Sequence, residues 1–140
     1  MQALDLSKTK PRKTREELAG VVFLPRSIDK FRGNLPGGVM DGYTIEGFTA
    51  MMLERLDIPV ATMQNIVATA ASDDDIAGYV LESAAPGGAE AWNDFVLNRE
   101  LYKGDRAGAI AENPWLAEHP EITKSIDFLQ YMEDHGLDND

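Results

Sequence analysis

The sequence predicts an all-α protein, a compact single-domain bundle of about six or seven helices preceded by an extended N-terminal arm. Apolar residues recur at spacings of three and four almost throughout, and no stretch alternates long enough to make a strand. Proline and glycine, as in "FLPRS", "LPGG" and "APGG", cut the chain into pieces of helix length.

Residues 1–13 are polar, contain "TKPRK" and lack periodicity, so they read as the arm. Thr14 and Glu17 have the spacing of a capping box, which predicts a short helix from Arg15 to Val22. Pro25 suits the first turn of the next helix, where its missing N–H costs nothing. There Leu24, Ile28, Phe31 and Leu35 draw an apolar stripe, and Arg26, Asp29, Lys30 and Arg32 fall elsewhere on the wheel. A third helix is expected from Thr44 to Leu56, with Ile45, Phe48, Met51, Met52 and Leu56 inward. Pro59 opens a fourth carrying Met63, Ile66, Val67 and Ala70.

Ser72 with Asp75 resembles a second capping box, and Asp73, Asp74 and Asp75 suit the positive end of a fifth helix, whose buried face is Ile76, Tyr79, Val80 and Ser83. After the "PGG" turn at 86–88, a sixth helix carries Trp92, Phe95, Val96 and Leu101. A short helical piece near Ile110 and the "NPW" punctuation lead to a final helix from Glu121 to Asp134 with Ile126, Leu129 and Met132. Gly136 reads as its C-cap. The domain thus spans residues 14–136, and 137–140 read as a frayed tail.

A chain of 140 residues with 44% hydrophobic and 26% charged residues has a globular composition, which argues against wholesale disorder. The absence of cysteine removes disulfides, a thiolate nucleophile and thiolate zinc sites. No apolar region follows the charges at the N-terminus and no run of 18 apolar residues occurs, so a soluble cytoplasmic protein is expected. Residues 1–32 carry eight Lys/Arg against four Asp/Glu, and residues 33–140 carry five against twenty. The expected consequence is that the basic opening lies against the acidic body of its own fold.

The stretch "DLSKTKPRKTREELAGVVFLPRSIDKFRGNLPG", Asp5 to Gly37, is similar to the opening of a bacterial family catalogued as domain of unknown function 5069. The likeness is carried by Leu24, Pro25, Arg26, Ile28, Asp29, Lys30 and Arg32, with Gly20 before them and Leu-Pro-Gly after. The resemblance implies a helical single domain in a bacterial cytoplasm. It implies no activity.

Arg26 and Lys30, four apart on one helical face near a helix N-terminus, have the makings of an anion site. Asp29 can neutralise Arg26 or Arg32 instead, and the competing expectation is a charge network that clamps this helix to an acidic neighbour such as Glu46 or Glu54. His119 and His135 lack metal-ligand spacing and read as surface residues. "DDDIAG" fails the calcium-loop pattern, since Ala77 offers no side-chain oxygen. No nucleophile elbow or phosphate-binding glycine loop occurs. Glu133 and Asp134 are adjacent and point to different faces, which disfavours an acid/base pair. Lys8, Lys10, Arg12, Lys13 and Arg15 offer phosphates a contact, but the acidic body opposes nucleic acid within a Debye length of about 8 Å. Trp115 and Tyr43, at junctions, are candidates for a pocket or interface.

The leading expectation is a non-catalytic binding or protein-interaction domain with no cofactor and no metal. The alternative is a small-anion-binding protein or small enzyme, with a ligand site at Arg26, Asp29, Lys30, Arg32 and Tyr43 completed by a carboxylate from another helix. A third is an acidic regulator that mimics nucleic acid.

Overall fold

The computed structural model describes residues 1–137. Seven α-helices follow one small hairpin: β1 (Glu17–Leu18), β2 (Val21–Val22), α1 (Leu24–Gly33), α2 (Phe48–Leu56), α3 (Val60–Thr69), α4 (Asp73–Ser83), α5 (Gly88–Asn98), α6 (Arg106–Glu112) and α7 (Ser125–Asp134). A 3-10 turn at Pro114–Glu118 separates the last two. The protein is mostly helical, though not strictly all-α.

The hairpin replaces the helix expected over Arg15–Val22. Ala19 and Gly20 both take positive φ, 54° and 72°, so the two-residue loop has the left-handed residue pair of a type I′ turn, whose twist matches that of the strands. Glu17 then pairs with Val22, and Leu18 with Val21. The expected capping box does not form. Thr14 donates its backbone N–H to Gln130 and its hydroxyl to the Ile126 carbonyl, while Glu16 accepts the Lys13 N–H. Two consecutive β-branched valines after a glycine favour the pleated alternative over a helix this short.

α1 begins as expected, with Pro25 in its first turn. Its burial differs from the amphipathic expectation: every residue from Leu24 to Phe31 is buried. The third helix starts only at Phe48, because Asp41 and Gly42 turn with positive φ and Gly47 holds the N-cap. α4 presents Ile76 and Val80 inward, but Ser83 is exposed in its last turn, where its hydroxyl can stay hydrated. Leu101 lies beyond α5, in a chain segment that bridges Glu100 to Lys124, and this bridge delays α7 to Ser125. α7 ends as predicted at Gly136: the Gly136 N–H meets the Glu133 carbonyl and the Leu137 N–H the Met132 carbonyl, a Schellman motif. Of the expected tail, residues 138–140 lie outside the described residues.

In the core α2 packs on α5, α1 on α3, and α7 reaches α5. Trp92, fully buried, sets its ring against Phe23, Phe48 and Phe95 and donates its indole N–H to the Val22 carbonyl at 2.7 Å. That bond satisfies the polar atom which burial of the indole would otherwise strand. Residues 1–13 carry no helix, and they lie against the body, with Leu6 and Pro11 buried and the Leu4 and Leu6 N–H groups bonded to Arg32 and Val39.

Candidate functional site

The total burial of α1 carries its charged residues inside the protein. Arg26 and Lys30 are 0% and 1% exposed. The Arg26 guanidinium donates through Nη2 to Oε2 of Glu133 on α7, and through Nη1 to the Arg12 carbonyl at 3.2 Å. It also lies 5.6 Å from the Tyr43 ring centre and 5.7 Å from that of Phe23. The Tyr43 hydroxyl donates to the same Glu133 oxygen at 3.1 Å. Burial, reinforced by the Glu133 charge, pushes the Tyr43 phenol above its ordinary pKa. The Lys30 ammonium sits 5.4 Å from the Phe23 ring centre.

Asp29, the buried carboxylate of α1, accepts three bonds from Arg12: Nε at 3.0 Å, Nη2 at 3.0 Å and the backbone N–H at 2.8 Å. Arg12 also grips Asp73 at the start of α4. Burial works against the Arg12 charge, but hydrogen bonds to Asp73 and Asp29 outweigh it and raise the guanidinium pKa. The carboxylates bonded to Arg26 and Arg12 are Glu133, Asp29 and Asp73 rather than Glu46 and Glu54, which are exposed. Asp29 is held by Arg12, from outside its own helix. Arg12 reaches it with a planar fork, through Nε and Nη2. Arg32 instead donates to the Gln2 carbonyl at 2.9 Å.

The basic opening continues the pattern. Arg15 forms a two-point pair with Asp127 at 2.7 and 2.9 Å, Lys13 reaches Asp134, and Lys10 donates to the Glu133 carbonyl. The charge asymmetry is thus folded into contacts between residues 10–15 and helices α1, α4 and α7. Glu133 and Asp134 do point apart, one buried and one exposed. Beside this segment lies an open groove of about 590 Å³, walled by Lys10, Arg12, Arg32, Asp29, Asp73 and Asp74, in which both signs of charge alternate.

Of the predicted ligand residues, the structure brings Arg26 and Tyr43 together around Glu133 of another helix, turned inward. Arg32 stands apart at the surface edge. Sequence reasoning missed a second feature. Between α2, the end of α5 and α7 opens an apolar cleft of about 340 Å³, lined by Phe48, Met51, Leu101, Phe128, Leu129 and Met132. All six are half-buried. Gly47, Arg99 and Ser125 complete the lining, and the Ser125 N–H bonded to the Arg99 carbonyl at 3.0 Å joins the ends of α5 and α7. The signal was present in the three- and four-residue spacing of α2 and α7, but it is the same spacing that marks core.

Behind Phe128 runs a ladder of rings: Phe128 on Trp115 at 5.5 Å, Trp115 on Tyr131 at 4.2 Å and Tyr131 on His135 at 3.9 Å. His119 packs on Trp115 and Tyr131, with Nδ1 2.8 Å from Glu121 and Nε2 3.3 Å from the Tyr131 hydroxyl. It is therefore half-buried rather than a free surface residue, because its ring supplies one wall of the ladder; His135 is exposed as expected. The His119 contact holds the Glu121 carboxyl below its ordinary pKa. Among the described residues no cluster of three or more His, Asp or Glu side chains is placed to hold a metal ion, and no helix is long and apolar enough to cross a membrane.

Residues 8–135 match the sequence model of a family described as a domain of unknown function (DUF5069). No curated protein matches the chain.

Proposed function

The chain belongs to the DUF5069 family, and from that premise we propose that it is a non-catalytic cytoplasmic binding module which accepts its partner in the apolar cleft between α2, α5 and α7. In this reading the charged residues of α1 are a clamp: they fix α7, which forms one wall of the cleft, to the rest of the domain. Residues 1–13 act as a strap over the clamp, and 14–136 form one domain.

One observation carries the reading. Six large apolar side chains surround a concave opening and stay half-buried, although closing over them would gain roughly 25 cal/mol for each Å² removed from water. A volume of about 340 Å³ lies in the range of small-molecule sites. The charged cluster, by contrast, already matches Arg12, Arg26 and Lys30 with Asp29, Glu133 and Asp73 in number.

The test uses Nile red, a neutral dye that fluoresces in apolar surroundings. The wild-type protein should take it up, and Met51→Trp, which fills the cleft, should abolish the signal while circular dichroism stays unchanged. No uptake by the wild type, or equal uptake by a folded Met51→Trp variant, overturns the proposal.

A further inference from the structure

The cleft is apolar on every side but one. At that side stands Arg99, whose guanidinium lies 5.3 Å from the centre of the Phe95 ring. The Arg55 guanidinium lies 3.9 Å from the same ring centre, one helical turn beyond Met51 of the cleft wall. Neither arginine forms an ion pair among the described residues. Their situation contrasts with that of Arg12, Arg15 and Arg26, each of which is taken by a carboxylate. It is not for want of acids, since the chain has 24 Asp and Glu against 13 Lys and Arg. Glu100, the next residue, pairs with Lys124 and leaves Arg99 aside.

A guanidinium beside apolar walls is a selective receptor. Its fork matches a carboxylate in two-point geometry, and it is weakly hydrated, so binding there strips little water. Ser125 borders the same space, and its hydroxyl is of a type that can donate. The rest of the protein sets the charge of the guest. A net charge of -11 raises the cost of a polyanion, whereas one negative charge set on Arg99 is favoured locally and screened beyond roughly 8 Å. Two of the walls are methionines, which adapt to a flexible chain more readily than branched residues do.

We infer that the cleft takes a free amphipathic monocarboxylate, with its carboxylate on Arg99 and its apolar chain between Phe48, Met51 and Met132. This rests on the reading of the cleft as the binding site, and it adds the chemistry of the guest.

Calorimetry with decanoate and 1-decanol, which share a chain length and differ in the head group, separates the two claims. Decanoate should bind the wild type at one site and at least about tenfold more tightly than decanol, the margin expected for a charge-assisted hydrogen bond. In Arg99→Gln decanoate should lose about tenfold and fall to the affinity of decanol. Equal binding of the two compounds by the wild type, or full decanoate affinity in Arg99→Gln, overturns the carboxylate assignment and leaves the cleft standing. Nile red uptake without binding of either compound does the same. If Nile red also fails to bind, both claims fall together.

Discussion

Arg26 on α1 and Glu133 on α7 are 107 residues apart in sequence and joined through Nη2 and Oε2, with side chains 0% and 4% exposed. A pair so fully removed from water contributes little net stability, because desolvation offsets attraction, but breaking it by removing one partner strands the other. Arg26→Met should therefore cost about 3–5 kcal/mol in denaturant unfolding. The double variant Arg26→Met/Glu133→Leu should recover much of that loss, since no buried charge is then left unpaired. A single variant as stable as the wild type, or a double variant with simply additive losses, would refute the clamp.

Tyr43 shares the Glu133 oxygen, and its phenol is pushed above the ordinary value of about 10 by burial and by that carboxylate. A group whose folded pKa is raised keeps its contribution below the unfolded pKa and loses it as pH climbs toward the folded value. The Tyr43 contribution should accordingly be constant below about pH 10 and be lost above it, with Tyr43→Phe flattening part of the alkaline decline in stability. In an alkaline absorbance titration of the four tyrosines, one phenol should resist ionisation in the wild type and be missing from Tyr43→Phe. Four phenols titrating together in the wild type would contradict this.

Arg12 and Arg15 both pair with aspartates, yet they should behave differently. Arg12 meets Asp29, whose side chain is 7% exposed, and bridges it to Asp73; Arg15 meets Asp127 with both side chains more than a third exposed. Charge-assisted hydrogen bonds to a buried acceptor are worth about 1.5–3 kcal/mol, while exposed pairs give at most about 1 kcal/mol. Arg12→Gln should thus destabilise by about 2–3 kcal/mol with little dependence on salt. Arg15→Gln should lose under about 1 kcal/mol, and that loss should vanish at high salt. Equal, salt-sensitive losses would mean that residues 10–15 rest on the surface and clamp nothing.

The sequence made much of this visible. Pro25 and Pro59 placed two helix starts, Gly136 placed the last helix end, and the uneven charge foretold that the basic opening would lie on its own acidic body. The hairpin escaped because Thr14 and Glu17 have capping-box spacing, while the left-handed pair Ala19 and Gly20, with alanine in place of the usual Asn or Asp, gives a faint turn signal. The partner of Arg26 escaped because pattern arguments pair charges within a helix or with its neighbours, and Glu133 arrives from the far end of the chain. The cleft was illegible for a related reason. Phe48, Met51, Leu129 and Met132 obey the periodicity of core residues, and only the packing of α2 against α5 and α7 decides that a gap remains between them.

Phe128 belongs to both the cleft wall and the ring ladder, and this dual placement makes the cleft observable. The chain has two tryptophans: Trp92 is sealed in the core, and Trp115 stacks on Phe128 and Tyr131. In a Trp92→Phe background, emission therefore reports the ladder alone, and a guest seated against Phe128 should change its intensity with the same midpoint as Nile red uptake. Phe128→Ala removes one stacked neighbour and exposes the indole edge, so emission should shift to the red and stability fall by about 1 kcal/mol, roughly half the value of a fully buried large apolar side chain. The guest-induced change should disappear in that variant. If it persists there undiminished, the guest is perturbing Trp115 from the solvent face of the ladder, and the cleft is not where it sits.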